Sequence, residues 1–234
     1  MFTILSLFSG HLFLVVFVLM TRKTVDLYTA VFTKVKQLVP LCSPTEVMAD
    51  FEEASIIGFR NVFERERVRI SGCWFHYCQA VAKRCRKVGL TRFWPGSQGV
   101  TKIIKCIMSL PLLPPEDIMQ GLNDITTIVD QVDDAPKELL VQLIAYIRRQ
   151  WVSKASIGPT RLSVNGQDHR TNNGVESYHA GLRRRIAVAH PNLYTFLDHL
   201  KNVSTDTAAE YYRLQSGQPI RRSRKSVMLQ RIKE

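Results

Sequence analysis

The apolar run Leu12–Met20 constrains this chain more than any other stretch. It holds about half of the ~20 residues that a membrane-spanning helix needs. Ser9-Gly10-His11 precedes it with turn chemistry, and Phe2, Ile4, Leu5, Leu7 and Phe8 lie on the far side of that turn. Val15, Val16, Phe17 and Val18 favour extended backbone. The opening is therefore expected to be a buried hairpin, its second strand covered on both faces. No Lys or Arg precedes Arg22 and no small-residue cleavage site follows, so neither a signal peptide nor a membrane anchor is expected.

Periodicity organises the rest. Thr24 is placed to cap a helix reaching about Leu38, with Tyr28, Val31, Val35 and Leu38 on its inner face. Glu46–Ala49 reads as a short strand ending at Asp50, and Phe51 to Phe63 as a helix with Phe51, Ala54 and Ile57 inward. Val68 and Ile70 alternate with Arg67 and Arg69 in a further strand that stops at Ser71-Gly72. Cys73 to Val88 follows as a helix, with Gly89 suited to end it. Apolar stripes at helical spacing make 97–151 an all-helical insertion, and 152–170 an irregular loop. A helix from about Asn173 to Ile186 and a long last helix beyond His190-Pro191 complete the body, and 217–234 is a basic tail expected to be disordered. This order predicts an α/β fold: a mixed sheet, a helical insertion and a helical C-terminal part.

Lys and Arg number 32 against 20 acids, a net charge of +12. Such an excess favours a polyanionic partner, because phosphate neutralisation supplies much of nucleic-acid affinity. The basic clusters are Lys83, Arg84, Arg86 and Lys87; Arg183, Arg184 and Arg185; and, in the tail, Arg221 and Arg222. The five cysteines are odd in number, which favours a reducing compartment and metal binding over cross-linking.

Three places could carry chemistry. Asp50, at the carboxyl end of a strand, could ligate Mg²⁺ or could simply cap the next helix. Glu176 shares a helix face with His179 and Arg183, as an active acid or as part of a solvated face. Cys73 and His76 are spaced one helical turn apart, as zinc ligands or as a core cysteine beside a hydrogen-bonded histidine. No Gly-rich phosphate loop, nucleophile elbow or HExxH helix is present, so kinase, α/β-hydrolase and zincin chemistry lack support.

Taken together, three segments resemble the transposases of Mutator-like elements, the MULE transposases. They are Met48-Ala49-Asp50-Phe51-Glu52, Gly72-Cys73-Trp74-Phe75-His76, and Thr171-Asn172-Asn173-Gly174-Val175-Glu176; His190-Pro191-Asn192-Leu193 adds to the likeness. The resemblance implies a ribonuclease H-like core over 1–96 and 171–216, acting on DNA in the nucleus through an Asp-Asp-Glu triad. Asp50 and Glu176 would be the second and third acids, holding Mg²⁺ or Mn²⁺, while Cys73 and His76 would form the family's Cys-x-x-His element, with Zn²⁺ as their suited ion. No Asp precedes Asp26, so the core is expected to be N-terminally truncated, with its first strand and first carboxylate missing. Two-metal phosphodiester cleavage depends on a shared ligand set, so the chain is expected to bind DNA without cutting it. The alternative is a non-catalytic DNA- or protein-binding domain derived from such a core. A homo-oligomer is compatible with either reading.

Overall fold

The computed structural model describes residues 1–63, 67–94, 96–132, 136–167, 169–186 and 191–219. They fall into two compact units. One joins Met1–Leu19 to the described residues from Gly174 onward, and the other is Met20–Asn173.

In the first unit, strands β1 (Phe2–Phe8) and β2 (His11–Val18) pair antiparallel, with a register shift between Ile4 and Leu5. The turn is made by Ser9 and Gly10, with φ of 47° and 73°. Positive φ at both central residues gives the twist that a two-residue hairpin needs, and glycine adopts it without steric cost. Helices α8 (Asn173–Ile186) and α9 (Leu193–Gln215) supply the covering layer; Asn192 caps α9, its side chain accepting from the Thr195 amide at 2.9 Å. Leu182, Ile186, Leu200 and Val203 form the core with Leu14 and Phe17 against them. The second strand is not buried throughout: Phe13 is buried, whereas Val15 is 55% exposed.

The second unit is built on helices. Thr24 caps α1 (Val25–Leu38) by accepting from the Leu27 amide at 3.4 Å. Helix α2 (Glu53–Phe63) packs against α1 through Phe32, Phe59 and Phe63, and Gly58 lets the two backbones approach at Tyr28. Strands β3 (Glu46–Ala49) and β4 (Arg69–Gly72) pair in parallel. Helix α3 (Trp74–Val88) ends at Gly89, whose φ of 86° is the left-handed cap expected of it. Helices α4 (Gln98–Ser109), α5 (Ile118–Asp130) and α6 (Lys137–Ile147) bury Ile103, Ile107, Leu122, Leu140 and Ile147 against Tyr77, Val81 and Cys85 of α3. A π-helical turn, Arg148–Val152, and the short helix α7 (Gly158–Leu162) occupy part of what reads in sequence as a helix end and a loop.

The expected ribonuclease H-like mixed sheet is not formed. Among the described residues there are two separate two-stranded sheets, and the chain is mostly helical rather than α/β. Strand signals along a sequence do not say which strands pair. Here β1 and β2 satisfy each other through a tight turn in one unit, and β3 and β4, four residues each, pair across α2 in the other. No described helix is long and apolar enough to cross a membrane.

Candidate metal centre

The parallel register of β3 and β4 builds the site. Ala49 lies opposite Gly72, and the Cys73 amide donates to the Ala49 carbonyl at 3.1 Å. Asp50 and Cys73 are therefore the first residues beyond each strand and leave the sheet side by side. Cys73 is also the residue before α3, so His76 stands one turn on, over the same helix end. Gly72 makes room there: a Cβ would overlap the ring of Phe51 unless that ring moved.

The result is a cluster of three ligand-type side chains. A carboxylate oxygen of Asp50, Sγ of Cys73 and a ring nitrogen of His76 all lie within 4.8 Å of one another, a spacing at which they could hold a metal ion. Nδ1 of His76 is 3.1 Å from Oδ1 of Asp50. Cys73 is fully buried, while Asp50 and His76 reach solvent. Burial pushes the Cys73 thiol up, and the backbone amides of Asn172, His76 and Phe75 pull it the other way.

Two residues outside the candidate set complete the surroundings. Asn172 arrives on the segment before α8, which is pinned by the Trp74 amide donating to the Arg170 carbonyl at 3.0 Å. Its side-chain amide donates to Oδ1 of Asp50, its side-chain carbonyl accepts from the Cys73 thiol at 3.0 Å, and its backbone amide donates to Cys73 Sγ at 3.4 Å. Arg161 of α7 is 3% exposed and donates to the backbone carbonyls of Asp50 and Ser156, both at 3.0 Å. Its guanidinium lies over the Phe51 ring, 5.6 Å from the centroid, and Phe51 in turn meets Trp151 edge-on. Asn172 falls inside one of the segments that carry the family resemblance; nothing in the local sequence marks Arg161.

The other candidates are distributed differently. Glu176 is exposed in the first turn of α8, in the other compact unit from Asp50. His179 bonds to Thr3 Oγ1 at 3.0 Å, and the Cys78 thiol points to the Met108 carbonyl at 3.8 Å, so neither joins the cluster. Lys83, Arg86 and Lys87 are exposed on α3, while Arg84 is half-buried over the Tyr146 ring. Arg183 and Arg184 are exposed on α8, and Arg185 pairs with Asp206 at 2.7 Å. Arg221 and Arg222 lie outside the described residues.

No protein-family model, curated protein or solved structure matches the chain.

Proposed function

We propose that this is a DNA-binding domain derived from a MULE-type transposase. The observation that carries the reading is the meeting of Asp50, Cys73, His76 and Asn172 in one place. They come from three segments, far apart in sequence, which together carry the resemblance. A set of unrelated likenesses gives no reason for those segments to share a site. The excess of cations and the exposed Lys83, Arg86, Lys87, Arg183 and Arg184 support contact with a phosphate backbone. Such contacts position a protein on DNA without reading its bases, so the binding is largely independent of sequence.

The kinship would make Asp50 a ligand for Mg²⁺ or Mn²⁺ in phosphodiester transfer. The immediate neighbours of Asp50 argue against that use. Mg²⁺ favours an oxygen-rich octahedral set, and the two nearest ligand-type partners here are a thiol and an imidazole. The domain is therefore read as one that binds DNA without cutting it.

The test is binding to duplex DNA at rising salt, with plasmid nicking in Mg²⁺ and Mn²⁺ run alongside. Log affinity should fall linearly with log salt. Replacing Lys83, Arg86 and Lys87 with Gln should flatten the slope by up to about 0.9 for each phosphate that is no longer neutralised. An affinity that ignores salt overturns the DNA reading. Nicking that Asp50→Ala abolishes overturns the non-cutting role.

A further inference from the structure

We infer that Asp50, Cys73 and His76 form a zinc site with one open coordination position, and that Asn172 holds its ligands in place. The inference rests on the geometry of the second compact unit alone and stands whether or not the chain binds DNA.

The donor set selects the ion. Thiolate and imidazole suit zinc, and a carboxylate completes a set of three ligands of the kinds zinc accepts. Tetrahedral zinc with ordinary bond lengths needs ligand atoms about 3.4 Å apart for nitrogen to oxygen, and about 3.6 Å apart for sulfur to either. The His76–Asp50 separation is 3.1 Å, and all three ligand atoms lie within 4.8 Å of one another. Small side-chain rotations close the difference, and two of the three ligands sit at chain positions already fixed by the β3–β4 register.

The surroundings keep one donor for a thiolate, although the thiol's own bond to the Asn172 side-chain carbonyl is given up when its proton leaves. The Asn172 backbone N–H points at Cys73 Sγ and can continue to do so after the thiol proton leaves with metal binding. The Asn172 side-chain amide orients the Asp50 carboxylate, and Arg161 fixes the Asp50 backbone through its carbonyl. Partners of this kind, bonded to the ligands rather than to the ion, set ligand orientation in metal sites. Among the described residues no other His, Cys, Asp or Glu joins the cluster and Asp50 and His76 reach solvent, so those residues leave a fourth position open on that side. The ion would tie the end of β3 to the start of α3.

The experiment uses the full chain, stripped of metal with a chelator and titrated with Co²⁺ and then with Zn²⁺. One Co²⁺ per chain should bind, with a sulfur-to-cobalt charge-transfer band in the near ultraviolet and intense visible bands of tetrahedral geometry. Zn²⁺ should displace it, and a large excess of Mg²⁺ should not. Cys73→Ser should abolish the charge-transfer band. Asp50→Asn, an exposed change that leaves the core untouched, should weaken Co²⁺ binding more than the roughly 10–100-fold typical of losing an orienting partner, while keeping the band. If Cys73→Ser fails to fold by circular dichroism, Asp50→Asn and His76→Ala decide the matter alone. Absence of a charge-transfer band, a band that survives Cys73→Ser, or Co²⁺ affinity unchanged in Asp50→Asn and His76→Ala would each overturn the site.

Discussion

Asn172 donates to the Asp50 carboxylate and accepts from the Cys73 thiol, bridging residues 122 and 99 positions away. One short side chain thus sets the orientation of two of the three grouped ligands. Asn172→Ala keeps every ligand but frees the Asp50 carboxylate to rotate, and in the metal-free chain the Cys73 thiol as well. Zinc affinity measured against a competing chelator should fall about 10–100-fold, with the cobalt charge-transfer band retained. An unchanged affinity would show that the amide is a bystander.

Arg161 is the buried cation of the same region. Arg161→Ala removes two charge-assisted bonds to backbone carbonyls and a cation–π interaction, and leaves the Asp50 and Ser156 carbonyls without that donor. Urea unfolding should show a loss of about 2–4 kcal/mol. Arg161→Lys should recover little of it, because a lysine ammonium lacks the planar fork that reaches both carbonyls at once. A full rescue by lysine would mean that charge alone, rather than fork geometry, is what the site needs.

How far the sequence foretells this arrangement depends on the range of each interaction. Thr24 and Gly89 are legible because a cap is decided within one helical turn. The inner face of α1 matches its expected stripe only in part: Tyr28 is buried as expected, but Phe32 is buried with it and Leu38 is 70% exposed. The aromatic partners that choose the face, Phe59 and Phe63, lie on another helix. Asp50, Cys73 and His76 are each visible as ligand types, but their union depends on the parallel register of two four-residue strands separated by α2. Periodicity carries no record of register between strands, which is also why two small sheets can be read as one.

Gly58 offers a test of how tightly α1 and α2 are joined. A Cβ there would stand 2.6 Å from Tyr28 Cβ and 2.8 Å from the Thr29 backbone nitrogen, neither of which is a mobile side-chain end. Gly58→Ala should therefore destabilise the chain by about 1–3 kcal/mol despite the better helix propensity of alanine. Thermal unfolding that rises in temperature would show that the two helices can separate at no cost.

His179 makes stability depend on pH. Burial, then Arg183 and the chain's amino terminus, hold its imidazole below the ordinary histidine range, so the folded state favours the neutral ring that meets Thr3. Its contribution is present above the unfolded value near 6.5 and is lost as pH falls through that value towards the folded one. The difference in urea midpoint between the wild type and His179→Gln should shrink between pH 7.5 and pH 5.5. A constant difference across that window would place the proton elsewhere.

The register that aligns Ala49 with Gly72 gives the site an unusual mode of loss in evolution. Side chains alternate between the faces of a strand, so a one-residue insertion or deletion absorbed within β3 or β4 would turn Asp50 or Cys73 to the opposite face. The same length change absorbed in the connection around α2 would leave both in place. A descendant could therefore keep Asp, Cys, His and Asn letter for letter and have no site, while another with an altered α2 kept a working one. For any relative of this chain, the lengths of the two strands are as informative as the ligands themselves.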